Sequence, residues 1–381
     1  MLPCVEVPPA QGPSPVGLQA VGSVAVHTFA AHQNIQNMTT AHQSMDGQHV
    51  NAMAGDRGTE LARLADYEEV PEGHFYDPDA EYEPDPEYAA TLAPDAARQR
   101  RERIGPTGRP LPYFPIPGPL THHGPAKIIA MCNQKGGVGK TTSTINLGAA
   151  LAEYGRRVLL VDFDPQGALS VGLGVNPMEL DLTVYNLLME RGMSADEVLL
   201  KTAVPNMDLL PSNIDLSAAE VQLVSEVARE STLQRALKPL MADYDYIVID
   251  CQPSLGLLTV NALTAAHKVI VPLECEFFAL RGVALLTETI EKVQERLNPE
   301  LELDGILATM YDSRTVHSRE VLARVVEAFD DHVYHTVIGR TVRFPETTVA
   351  GEPITTYASN SVGAAAYRQL AREVLARCHA E

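Results

Sequence analysis

From residue 126 onward the sequence alternates short, almost continuous apolar runs with longer segments of mixed polarity. The runs KIIAMC (127–132), RVLLVDF (157–163), YDYIVID (244–250) and KVIVPL (268–273) have strand length and little polar alternation. A strand that is apolar on both faces has to be covered on both faces. Such strands, separated by helical stretches, specify a parallel sheet with helices on either side. MDLLPS (207–212) and ELDGILATMY (302–311) add two further strands. Helices are expected over 142–154, 256–266, 280–297, 318–329 and 363–378, with Gly155 ending the first. Ser217-Ala218-Ala219-Glu220 has capping-box spacing and is expected to open a long helix reaching Leu240. The expected fold class is α/β: one doubly wound, mostly parallel sheet over residues 126–381, with no internal repeat.

Residues 1–125 have another texture. They are rich in Pro, Gly, Gln and His, with an acidic run DYEEVPEGHFYDPDAEYEPDPEY at 66–88. A basic knot, Arg98-Gln99-Arg100-Arg101-Glu102-Arg103, precedes the proline-rich RPLPYFPIPGPL at 109–120. Only a short helix around 59–66 shows helical patterning. Such a composition buries too little apolar surface to offset its ordering entropy. The expectation for 1–125 is a disordered, acidic and proline-rich extension and linker, with its charged or proline-rich stretches available to a partner.

Composition narrows the function classes. The formal net charge is −20, which by itself argues against nucleic acid. The extension accounts for −9 of it, from 16 acidic and 7 basic residues, so the remainder is still acidic at −11. The five cysteines have neither metal-ligand nor C-x-x-C spacing and read as reduced thiols, with Cys132 and Cys251 buried at strand ends. No apolar run approaches the ~18 residues of a membrane span. MLPCVEVPPAQGPSP lacks the basic and continuous apolar regions of a secretory signal.

The first strand runs directly into NQKGGVGKTT, 133–142. A P-loop reads G-x-x-x-x-G-K-[ST], with backbone N–H groups cradling phosphates at a helix N-terminus. Gly136, Gly137, Val138, Gly139, Lys140, Thr141 and Thr142 fit this device. Lys140 is placed for the β/γ-phosphates and Thr141 for Mg²⁺. The first glycine is missing, however; Gln134 stands there, followed by an additional lysine, Lys135. In VLLVDFDPQG (158–167), Asp162 and Asp164 lie at the C-terminal end of a strand, where open α/β sheets bind ligands. An acid there either orients a water on the γ-phosphate or holds a water of the Mg²⁺ shell. In YIVIDCQPSLG (246–256), Asp250 ends an apolar run as a Walker-B aspartate does.

Together KGGVGKTT, LLVDFDPQG, YDYIVIDCQPSLGLLTVNALTAA, VPLECEFFALRG, TMYDSRT, VRFPET and AYRQLAREV resemble the ParA/MinD family of P-loop ATPases. The resemblance covers residues 127–376 and is strongest to the ParA (Soj-like) chromosome- and plasmid-partitioning branch. It implies a deviant Walker A loop, K-G-G-x-x-K-[ST], whose signature lysine is Lys135. In the family this lysine reaches across an ATP-bound homodimer to the other subunit's phosphates. The resemblance further implies Asp164 as the hydrolytic acid, with Thr141, Asp162 and Asp250 on the metal side. ATP and Mg²⁺ are the implied cofactors. The implied cycle is ATP-dependent dimerisation, non-specific DNA binding through residues matching Arg314 and Arg343, and slow hydrolysis stimulated by a ParB-like partner. The implied setting is cytoplasmic and nucleoid-associated.

Three departures stand out. The family's D-x-P-P-S is Asp250-Cys251-Gln252-Pro253-Ser254 here, and its adenine-contacting I-P-R-N is Ile338-Gly339-Arg340-Thr341. The extension is also long for the family. Besides a small-molecule or metallocluster relative in the same superfamily, for which no cysteine spacing supports a cluster, two other readings use the same motifs. One is a MinD-like membrane-cycling ATPase, which needs a basic amphipathic helix. The C-terminal AYRQLAREVLARCHAE has few lysines and no bulky aromatic face, so it is expected to pack on the core and to form no stable membrane contact. The other is a regulatory ATP switch acting mainly through its N-terminal extension.

Overall fold

The computed structural model describes residues 104–276 and 279–379. The acidic run, the basic knot, the helix at 59–66 and Cys4 lie outside the described residues. Seven strands form one sheet: β1 (Lys127–Met131), β2 (Val158–Phe163), β3 (Leu200–Lys201), β4 (Met207–Leu210), β5 (Tyr246–Cys251), β6 (Lys268–Glu274) and β7 (Glu302–Thr309). Their spatial order is β3-β4-β2-β5-β1-β6-β7, and every pairing is parallel except β3 with β4. From β1 the chain crosses outward to β2, whereas from β5 it crosses the other way to β6. The strand order therefore reverses around β1, and that switch point is where such sheets leave a crevice beyond their carboxyl ends.

The described helices are α1 (Lys140–Glu153), α2 (Ala168–Gly172), α3 (Val184–Met189), α4 (Ala195–Val198), α5 (Leu216–Gln222), α6 (Thr232–Leu237) and α7 (Leu257–Ala265). They continue with α8 (Ala279–Arg296), α9 (Val316–Phe329), α10 (Arg343–Ala350), α11 (Ile354–Tyr357) and α12 (Val362–His379). Ile129, Met131, Val158, Leu160, Tyr246 and Val248 join residues of α1 and α12 in one buried cluster. The alternate residues Ile128, Ala130, Leu159, Val161, Ile247 and Ile249 are equally buried. A strand's side chains alternate between faces, so these must be covered from the opposite side, and α7 packs on β1 and β5. Hence the runs read as continuously apolar. On α12, Tyr367, Leu370, Ala371, Val374 and Leu375 are buried in the cluster, as expected for core packing.

Two expectations change. The long helix from Ser217 to Leu240 is broken. α5 ends at Gln222, Ala228 adopts a left-handed φ of 52°, and helix resumes at Thr232. The break is held by tertiary bonds: Asn261 Nδ2 donates to Arg229 O at 2.9 Å, and Leu233 N donates to Asn261 Oδ1 at 3.2 Å. The capping box does not form either. Asp215 is the N-cap, without a side-chain bond, and Glu220 instead accepts from Gln252.

The second change concerns the linker, for residues 104–125 lie along the domain. Arg109 donates to Asp330 O at 2.7 Å, and Phe114 tilts against His335 with ring centroids 6.5 Å apart. Arg156 donates to Gly118 O at 2.8 Å. Gly124 N donates to Asp245 Oδ1 at 3.0 Å, and His123 bonds the same carboxylate. Proline fixes φ beforehand, which lowers the entropy lost when such a stretch docks.

Candidate nucleotide site

The loop 133–142 joins the end of β1 to the start of α1 at the switch point. Gly137 (φ 75°) and Gly139 (φ 83°) take left-handed conformations that other residues adopt only with strain. Gly139 is the N-cap of α1 and carries no side-chain cap, so the first N–H groups of α1 face the loop's concavity. Unpaired helix-start donors with the positive end of the helix dipole make an anion cradle. Val138 is buried and anchored: its carbonyl accepts from Thr309 Oγ1 at 2.8 Å, from the end of β7. Asn133 pins the other end, donating to Pro272 O at 2.7 Å and accepting from Lys135 N at 2.9 Å. Thr142 lies in the first turn of α1, half-buried.

The two lysines of the loop occupy different surroundings. Lys140 is buried, with Nζ 3.1 Å from Lys135 O, so its charge sits within the loop. Lys135 turns outward, its side chain 44% exposed, and Nζ meets Glu274 Oε2 at 2.9 Å and Glu276 Oε2 at 2.6 Å. Those carboxylates raise its pKa. Arg340 lies on the other oxygen of Glu274 at 3.4 Å.

Beside the cradle stand two buried carboxylates. Asp162 and Asp250 are direct register partners across β2 and β5, and both are fully buried. Asp250 Oδ2 accepts from Thr141 Oγ1 at 2.6 Å, and Thr144 Oγ1 lies 3.5 Å from Oδ1. Asp162 Oδ2 accepts from Ser170 N at 2.8 Å and Ser170 Oγ at 2.7 Å. Burial, then the neighbouring Asp162, pushes Asp250 up to about 8; burial pushes Asp162 up to about 6 despite its hydrogen bonds to Ser170. Asp164 is half-buried at the strand's end, where its Oδ1 accepts from Gln166 N at 3.0 Å and forms the turn.

The donor set fits a hard divalent cation. Thr141, Asp162 and Asp250 offer oxygen only, and two carboxylates held together against their own repulsion are relieved by positive charge. Among the described residues no group of three or more His, Cys, Asp or Glu is arranged to hold a metal, so phosphate oxygens would have to complete the shell.

Without cation, the raised pKa values make ionised Asp250 a destabilising group. At this position the folded chain binds more protons than the unfolded one, so the contribution of Asp250 to stability is most favourable below the ordinary carboxylate value of 3.8 and falls as pH rises toward about 8. Asp250→Asn should therefore raise the Tm of nucleotide-free protein in chelator at pH 8 by at least ~2–4 °C, the shift per kcal/mol for a domain of this size. Scanning calorimetry at pH 5 and pH 8 checks it, and a gain no larger at pH 8 contradicts the electrostatic account.

The arginine candidates sit on neighbouring loops. Tyr311 and Gly339 form an isolated parallel bridge that lays the loop carrying Arg314 beside the one leading to Arg343. Arg314 is exposed and bidentate to Asp312, at 2.9 and 2.8 Å, and Arg343 pairs with Glu346 at 2.9 Å. Both cations thus have an acidic partner already, a feature their spacing did not disclose. In the altered I-P-R-N segment, Thr341 Oγ1 accepts from Arg343 N, the first residue of α10, at 3.2 Å. Cys132 and Cys251 are buried at the ends of β1 and β5, as expected, and their sulfurs are 2.9 Å apart. The sequence marked Glu220 only as a helix cap, and did not single out Asn133, Thr309, Glu274 or Glu276 as site residues. Asn133 adjoins the glycine loop, and Thr309, Glu274 and Glu276 fall within the stretches that carry the family resemblance, but none of their side-chain partners was readable there.

With this geometry in place, similarity to known proteins becomes informative. A family model described as an AAA domain matches residues 126–303. An uncharacterised protein of Mycobacterium tuberculosis is 69% identical over 274 residues, covering 72% of this chain and 86% of that one. The chromosome partitioning protein ParA of Caulobacter vibrioides is 48% identical over 255 residues, 66% of this chain and 95% of that one. Among solved structures, a Mycobacterium smegmatis protein described as cobyrinic acid a,c-diamide synthase, with bound ADP and magnesium, is 46% identical with a TM-score of 0.60. That match covers 67% of this chain and 96% of the other. The strand–loop–helix cradle, the paired strand-end aspartates and these similarities agree: the chain belongs to the ParA/MinD family of P-loop ATPases, in its ParA chromosome-partitioning branch.

Proposed function

We propose that this protein is an ATP-driven dimerisation switch of chromosome or plasmid partitioning. In its ATP-bound dimer it holds DNA without sequence preference, and a ParB-like partner releases it by stimulating slow hydrolysis. The observation that carries this reading is the division of labour between the two loop lysines. Lys140, buried in the loop, serves the nucleotide of its own subunit. Lys135, exposed and held only by surface carboxylates, is free to serve another's.

In this reading the loop N–H groups and Lys140 bind the β- and γ-phosphates. Thr141, Asp250 and Asp162 would hold Mg²⁺, which neutralises phosphate charge. Asp164, half-buried and at the strand's end, orients the attacking water. Lys135 leaves Glu274 and Glu276 and meets the phosphates across the dimer, so that two facing nucleotides become tolerable only with both lysines in place. This is the role an arginine finger plays in other P-loop enzymes.

DNA binding then follows from dimerisation. Two copies double the number of Arg314 and Arg343 side chains on one surface and offset the acidic balance of each chain locally. Co-sedimentation with non-specific DNA tests this. Binding should require ATP and weaken steeply with salt, since each phosphate contact contributes about −0.9 to the log–log slope. Arg314→Ala with Arg343→Ala should abolish it while ATP-dependent dimerisation persists. Binding indifferent to nucleotide, or unchanged in the double variant, contradicts the proposal.

A further inference from the structure

The loop after Asp250, residues 252–256, is held between two structures. On one side Pro253 lies against the phosphate loop: a Cβ on Gly136 would be 3.9 Å from Pro253 Cβ. On the other side stands Glu220 of α5. Gln252 is buried, and its Nε2 donates to Glu220 Oε1 at 3.3 Å and Oε2 at 3.4 Å. The same carboxylate fills the space beside Gly256: a Cβ there would fall 1.9 Å from Glu220 Oε1. Gly256 N in turn donates to Ser254 Oγ, and Thr259 Oγ1 to Ser254 O at 2.7 Å, which sets the loop on the start of α7.

This arrangement depends on residues particular to the chain. A proline at 252 has no donor, so the bond to Glu220 exists because an amide stands there. Glu220 is available because it does not close the capping box that its spacing suggested. A carboxylate whose two oxygens both receive one amide, at the far side of a loop that touches the phosphate cradle, fixes where that loop can sit.

We propose that Glu220 is a positioning residue for hydrolysis: through Gln252 it clamps loop 252–256 beside the phosphate loop and so fixes where that loop stands during the chemical step, while the cradle itself is held by Thr309 and Pro272. The assignment rests on the ATPase reading given above. Glu220 touches no nucleotide in this scheme, so it acts on the chemical step and leaves binding alone. Displacement of reacting groups by about 1 Å can cost up to 10²-fold in rate.

The test is steady-state ATP hydrolysis by the full-length protein with Mg²⁺. Glu220→Ala and Gln252→Ala should each lower kcat about 10-fold while KM for ATP stays within about twofold. The double variant should be no slower than the singles, because both remove one bond. Glu220→Gln keeps an acceptor for Gln252 and should restore kcat to within about twofold of the parent. Gly256→Ala provides an independent route, since its methyl group evicts the flexible end of Glu220 and leaves both partners in the chain. It should reproduce the Glu220→Ala phenotype with an unchanged circular dichroism spectrum. Multiplicative losses in the double variant, failure of Glu220→Gln to rescue, or a KM effect without a kcat effect overturns the assignment. Absence of hydrolysis in the parent protein overturns the ATPase reading itself, which these variants do not do.

Discussion

Lys140→Ala should abolish measurable ATP binding. Lys140 is the buried cation of the loop, and its Nζ reaches the carbonyl of Lys135 across the cradle. Hydrogen bonds to charged groups contribute about 1.5–3 kcal/mol each. Losing two of them to phosphate oxygens weakens binding roughly 100-fold or more. The fold should persist, because the sheet and helix surrounding the loop are held by Val138, Thr309 and the apolar cluster. Calorimetric titration with ATP and Mg²⁺ measures the loss directly. Affinity within about tenfold of the parent would mean that backbone donors dominate and Lys140 has another task.

Lys135→Ala should bind ATP and remain a monomer. The parent should shift to a dimer on adding ATP, read by light scattering after size exclusion. Lys135 is exposed, and its bonds to Glu274 and Glu276 are surface pairs, worth about 0–1 kcal/mol each. Their removal therefore leaves the monomer's stability nearly unchanged. Under the proposed function its effect on assembly should be large: two nucleotides brought face to face would repel, and a lysine supplied in trans would be the charge that compensates. An ATP-dependent dimer of the variant with parental affinity would refute this account of Lys135.

These two substitutions lie five positions apart on one loop and are expected to separate binding from assembly. The sequence motif names both lysines. What distinguishes them physically is burial: Lys140 is buried at the start of α1 with Nζ on the carbonyl of Lys135, whereas the side chain of Lys135 is 44% exposed.

How much was legible differs by element. β1, β2, β5 and β6 were readable because their runs are apolar on both faces, whereas the two-residue antiparallel β3, half exposed, was not expected. The glycine loop was readable because positive φ restricts residue choice at Gly137 and Gly139. Helix boundaries around 216–240 were not readable, because Asn261, distant in sequence, supplies the bonds that hold the chain between α5 and α6. The proline-rich stretch at 104–125 was likewise opaque. Its composition describes a linker, and contacts with Arg156, Asp245, His335 and the carbonyl of Asp330 give it a place to lie.

The sequence by itself determined the parallel sheet, the phosphate loop and the positions of its charges, since these follow from local patterns of burial and backbone freedom. The tertiary structure alone decided the partners. Burial within the sheet raised the pKa values of Asp162 and Asp250, and strand register set Asp162 beside Asp250, which raises Asp250 further. Strand order brought Glu274 to Lys135, and a broken helix turned Glu220 onto Gln252. Charge and hydrogen bonding act between neighbours in space, and only the folded chain decides which residues become neighbours.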